Sequence, residues 1–97
     1  RTLYQYQLER DMRSGQPDLS YDIVDKGRVR DFNFENLGVE MLDLDSQQVS
    51  AFKLRRVTDD SERETLVWLA ADYDYEIVKI YHREEDDTEY VMTRIID

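Results

Sequence analysis

Arg63-Glu64-Thr65-Leu66-Val67-Trp68-Leu69-Ala70 is the stretch that decides the fold. A charged pair opens it, the chain's single Trp stands in its second half, and apolar side chains fall on both alternating faces. A strand with one wet face alternates apolar with polar, whereas a strand covered on both sides reads as a near-continuous apolar run. The segment therefore belongs in the middle of a sheet, and its sequence neighbours supply the rest.

Toward the C-terminus, β-branched and aromatic residues alternate with polar ones over 75–83 and 88–96, joined through Glu84-Glu85-Asp86-Asp87. Toward the N-terminus the same period of two runs over 19–25, 28–36, 39–44 and 49–57. Asp25-Lys26-Gly27 reads as a three-residue hairpin with Gly in the left-handed position, and Asp59-Asp60-Ser61 as a longer polar turn. With 63–70 this predicts seven strands, and connections this short imply an antiparallel meander. Ahead of the strands, Thr2-Leu3-Tyr4-Gln5 fits a capping box, Tyr4, Leu8 and Met12 recur every four residues, and Gly15 with Pro17 supplies a stop. The spacing predicts one helix over 2–14. The expected fold class is mainly β (α+β), with the helix packed on a curved sheet, residues 1–97 forming one domain or the C-terminal part of a larger one.

A register for the last strands divides the side chains between two faces. If Thr65 lies opposite Ile80 and Val67 opposite Val78, one face carries Phe52, Leu54, Val67, Leu69, Val78, Ile80, Val91 and Ile95, the predicted core beneath the helical stripe. The other carries Trp68, Tyr75, Ile77, Tyr81, Tyr90 and Met92 among Lys53, Arg55, Glu64, Lys79 and Arg94. So wide an aromatic patch is unusual in water, which makes Trp68, Tyr75, Tyr81, Tyr90, Met92, Lys53 and Arg55 the candidate ligand or partner face. The alternative is that Lys and Arg stems lie over the rings and Arg55 pairs with Glu64 across the strands.

Charge and composition exclude several function classes. With 13 Lys and Arg against 23 Asp and Glu, the net charge of -10 repels phosphate backbones and anionic membrane surfaces. There is no Cys, hence no disulfide, thiolate chemistry or cysteine-ligated zinc. No apolar run approaches the roughly 20 residues of a spanning helix. The chain starts at Arg1 rather than Met, as a mature product or an excised piece would.

His82 is the single histidine, no Gly-x-Ser-x-Gly elbow occurs, and His82 is placed at the rim of the core-facing row near Glu89. Asp72-x-Asp74-x-Glu76 echoes a calcium loop, but Ile77 stands where the sixth-position Gly is needed and Arg83 where the twelfth-position Glu is needed. A looser calcium site at Asp86-Asp87 or Asp59-Asp60 stays open beside the reading of these as solvated turns. The three glycines are scattered, so no phosphate-cradling loop forms. Arg28 and Arg30 share one strand face and could grip an anion, or serve as charges that discourage aggregation. No catalytic residue, cofactor or metal set is predicted.

Read in order, Tyr21-x-Ile23-Val24-Asp25-Lys26-Gly27-Arg28, Phe32-x-Phe34, Gly38-x-Glu40, Arg63-x-Thr65-x-x-Trp68-Leu69-Ala70 and Tyr75-x-x-Val78-Lys79-Ile80 resemble the C-terminal half of the bacterial proteins grouped as domain-of-unknown-function 3108. The chain departs from that pattern at Glu76-Ile77-Val78, where Leu-Pro-Val is common, and at Glu85-Asp86-Asp87-Thr88, where the final hairpin customarily has Gly. The resemblance implies an exported, periplasmic protein of Gram-negative bacteria with no assigned activity, whose relatives carry an N-terminal sheet region outside these 97 residues. More distantly, a Trp-containing strand followed by a hairpin looks like the half-barrels of periplasmic lipoprotein carriers. The expectation is a non-enzymatic envelope protein that binds an amphiphile or a protein partner through its sheet. The alternative is a structural module that self-associates, as a homodimer would, through the same face.

Overall fold

A computed structural model describes residues 1–94. Helix α1 (Leu3–Ser14) precedes β1 (Leu19–Asp25), β2 (Arg28–Leu44), β3 (Gln47–Val57) and β4 (Glu64–Ala70). A short 3-10 turn (Ala71–Tyr73), β5 (Glu76–Arg83) and β6 (Glu89–Thr93) follow. The six strands form one antiparallel sheet in chain order that does not close into a barrel, with α1 packed on one side. β4 is interior, between β3 and β5, and Val67, Trp68, Leu69 and Ala70 are all buried, as its apolar run demands.

The helix forms where its end signals are strongest. At its start the Thr2 N–H donates to Gln5 Oε1 at 3.1 Å within a capping box. At its end Gly15 turns left-handed (φ 72°), and the Gln16 N–H reaches back to the Asp11 carbonyl at 2.9 Å, closing a Schellman motif. Leu8 is fully buried, and with Tyr4 and Met12 it covers Leu19, Tyr21, Phe34, Leu54, Val67, Leu69 and Ile77. Two polar anchors fix the docking. The Tyr21 hydroxyl donates to Asp11 Oδ2 at 2.8 Å, and the Ile77 N–H donates to the buried Glu9 carboxylate at 2.8 Å. Burial first, then the bond to Asp11, raises the Tyr21 phenol pKa well above its ordinary value.

The sheet departs from the sequence expectation in its turns. Segments 28–36 and 39–44 run on as the single strand β2, interrupted by a bulge between Asn36 and Val39 where Gly38 takes φ 96°. Asp25 pairs with Arg28, so the first hairpin loop has two residues rather than three. Lys26 (φ 52°) and Gly27 (φ 74°) are both left-handed, the type I′ turn that matches strand twist. A β-carbon makes that conformation costly for Lys26, whereas Asn tolerates it. Lys26→Asn is accordingly expected to stabilise the domain by about 0.5–1 kcal/mol. The check is a higher urea midpoint at unchanged slope.

Register redistributes the expected faces. Thr65 lies opposite His82 and Val67 opposite Ile80, two residues from the predicted pairing; an even shift leaves Val67 and Ile80 on the helix side. A bulge then intervenes, with Trp68 opposite Lys79 but Leu69 opposite Ile77. The extra residue exchanges the two sides, so Ile77 packs under the helix and Val78 on the reverse. Tyr75 stacks on Phe52 (6.2 Å between centroids), a residue that alternates with helix-side Leu54. In the last hairpin Ile80 faces Met92, Tyr81 faces Val91 and His82 faces Tyr90. Met92 and Tyr90 therefore join the helix side and Val91 the reverse, opposite to expectation. Ile95, and the predicted strand end at 96, lie outside the described residues.

On the reverse side, Leu42 and Leu44 near the tip of the β2–β3 hairpin gather with Val49, Ala51, Trp68, Ala70 and Val78. Trp68 is only 4% exposed. Its cross-strand neighbours Lys53 and Lys79 place their ammonium groups 5.6 and 4.7 Å from its ring centroid. Trp68, expected on an open face, is thus covered by the chain's own hairpin and lysine stems. Arg55 pairs with Glu35, directly opposite on β2, and not with Glu64.

Candidate functional site

A 12-residue helix is about 18 Å long, while β2 runs 17 residues in a molecule 41 Å in its longest dimension, so α1 can roof only part of the sheet. Past the helix N-terminus the uncovered floor forms a groove of about 530 Å³, within the usual range for small-molecule sites. Every strand contributes one wall residue or more: Ile23, Phe32, Arg56, Thr65, Ile80 and Met92, in strand order, with Tyr4 from the helix. Six strands laid flat would span about 24 Å from first to last. One cavity touching all of them therefore runs across the full width of the sheet.

The floor is apolar and aromatic. Tyr4 stacks on Phe32 at 4.5 Å and 8° between planes, and on Phe34 at 5.7 Å. Two guanidiniums lean on the same Phe32 ring, Arg56 with Cζ at 4.1 Å from the centroid and Arg30 at 5.4 Å. Arg30 has a loose ion pair with Asp25 at 3.8 Å. Arg56 donates to the Asp31 carbonyl at 2.8 Å, its buried Nε has no acceptor, and among the described residues no carboxylate lies within ion-pair distance of it. Burial, and next the neighbouring charge of Arg30, lower its pKa. Arg63 beyond it is neutralised by Asp60, Glu84 and Glu85.

One wall is polar. Thr65 Oγ1 lies 2.8 Å from His82 Nδ1, and His82 Nε2 lies 3.0 Å from Glu84 Oε1. The ionised carboxylate can only accept, so Nε2 carries a proton, and in the neutral ring Nδ1 accepts from the Thr65 hydroxyl. Hydroxyl, imidazole and carboxylate in that order are what nucleophilic catalysis employs. Direct cross-strand pairing of Thr65 with His82 accounts for their contact without it.

The seven candidate face residues are divided by the fold. Trp68, Tyr81, Lys53 and Arg55 belong to the reverse side, Tyr75 stacks at the far end of the helix side, and Tyr90 stacks on His82 at 6.5 Å. Met92 alone of the seven lines the groove, joined there by Arg30 but not by Arg28. Arg56 and Phe32 went unrecognised as site residues. A signal for Arg56 exists in the sequence, because Phe52, Leu54 and Arg56 alternate along β3 and the core-facing row ends on an arginine.

Among the described residues no three His, Asp or Glu side chains are grouped to hold a metal ion. In the acidic turns Asp86 accepts the Thr88 N–H at 3.0 Å and Asp60 the Glu62 N–H at 3.1 Å, which makes them turn-closing acceptors. No helix among the described residues is long and apolar enough to cross a membrane. No protein-family model, curated protein or solved structure matches the chain.

Proposed function

We propose that this protein is a non-catalytic binding module that takes the apolar portion of an amphiphile into the groove under the N-terminus of α1. The observation that supports this is the groove itself: about 530 Å³, walled by all six strands, floored by Tyr4, Phe32 and Ile80 and left open beside Met92. Burial of a hydrocarbon tail there is worth about 0.8 kcal/mol per methylene, enough for a single chain to bind without any reaction. An exported, periplasmic setting follows from the resemblance to domain-of-unknown-function 3108 proteins and belongs to the same proposal. Secretion of the full-length precursor with removal of a signal segment would test it.

Met92 is 60% exposed, so Met92→Asp should leave the fold intact while placing a desolvated charge against any tail in the groove. Binding of lauryl alcohol, followed by titration calorimetry, is expected to fall at least tenfold. Equal affinity of wild type and variant would sink the reading. A second reading, self-association, is favoured by β6, an edge strand exposed at every residue from Glu89 to Thr93. If it holds, sedimentation gives a dimer that Val91→Lys dissociates, and lauryl alcohol does not bind.

A further inference from the structure

We infer that the groove selects amphiphiles with an anionic head, the head being gripped between the guanidiniums of Arg56 and Arg30. This rests on the groove as the binding site and adds the chemistry of the ligand's polar end. The chain carries a net charge of -10, and most of its arginines have a carboxylate within ion-pair distance. Arg28, Arg56 and Arg83 have none among the described residues, and of these three Arg56 is the one that lines the groove: half-buried, held by one backbone carbonyl, with its Nε unsatisfied. Arg30 approaches the same Phe32 ring and keeps only a 3.8 Å contact with Asp25. Two like charges converging on one ring repel each other, and the lowered pKa of Arg56 reflects this along with burial. An anion between them would relieve the repulsion and could be forked by parallel N–H donors. The positive end of α1 faces the same space through Thr2 to Gln5, and its first turn contains no acidic residue. Apolar floor and cationic end are continuous in one cavity, which matches a single-chain amphiphile better than a free inorganic anion.

Laurate and lauryl alcohol share a tail and differ in the head, so they separate the two levels of the argument. Both are titrated below the micellar range into wild type, Arg56→Gln, Arg56→Met and Arg30→Gln, with the labelled Met92 methyl resonance reporting where binding occurs. Arg56→Met keeps the stem over Phe32 should the Gln variant fold poorly. The expected result is laurate binding roughly ten- to a hundredfold tighter than the alcohol, the worth of one or two hydrogen bonds to a charged group. Each Arg56 variant should erase that preference while leaving alcohol affinity within about twofold. Equal binding of both ligands, or a laurate preference untouched by Arg56, would overturn the anionic-head inference and leave the groove reading standing. Binding of neither, with Met92 unmoved, would overturn the groove reading itself.

Discussion

Trp68→Ala is expected to cost about 3–5 kcal/mol, a large fraction of the 5–15 kcal/mol available to a domain of this kind. Trp68 occupies the middle of the reverse-side cluster, and its removal leaves a void bordered by Leu42, Val49, Ala51, Ala70 and Val78. These residues sit on four strands tied by the ladder, which limits how far the site can collapse. At about 4–8 °C per kcal/mol the melting temperature should fall by well over 10 °C. Trp68→Phe, which keeps most of the volume, should lose less than half as much. It also removes an indole N–H that finds no acceptor among the described residues. A melting temperature unchanged in Trp68→Ala would mean that the reverse side is not the packed layer described above.

Glu9→Leu is the second large effect, about 2–4 kcal/mol. The leucine restores volume but strips the Ile77 N–H of its acceptor beside the β4–β5 bulge, where the ladder is already irregular. Arg1 loses a 3.2 Å partner as well, although Glu76 still holds it at 2.8 Å. Glu9→Gln keeps an oxygen for the Ile77 amide and should cost only about 1 kcal/mol. Urea unfolding gives the energies. Amide exchange gives the location: Ile77 should lose protection in the Leu variant more than Val67 or Leu54 does. Uniform loss across the sheet would place the effect in helix packing instead.

The helix, the meander and the central place of the Trp strand were legible because each rests on a local signal. Capping, four-residue spacing and Gly15 delimit α1; a doubly apolar run marks β4. Face assignment failed where it depended on a count. In a structure of period two, one extra residue exchanges the two faces, and no residue type announces the bulge opposite Trp68 that moves Val78 to the reverse side. The last hairpin hid its register differently. Asp87 takes the left-handed position (φ 66°) that a Gly would have marked, and the slip carried Tyr90 and Met92 to the helix side. The gap read at 37–38 lay in the right place but meant a bulge rather than a strand end. Of the site, Arg30 was noticed for its charge and Met92 for its apolarity. The groove could not be foreseen, because it depends on how little of the sheet α1 covers.

Each strand pairs with the one made just before it, yet α1, first in the chain, bonds through Glu9 to an amide 68 residues later. During synthesis the hairpins can close one after another, while the Leu8 stripe has no complete floor until β5 exists. Helix docking is therefore the long-range closure expected to come last. Before it the chain is a twisted ribbon with a greasy, unoccupied side, the species most open to chaperones and to aggregation. The groove needs the docked helix as one of its walls, so whatever fills it stabilises the docked state by mass action.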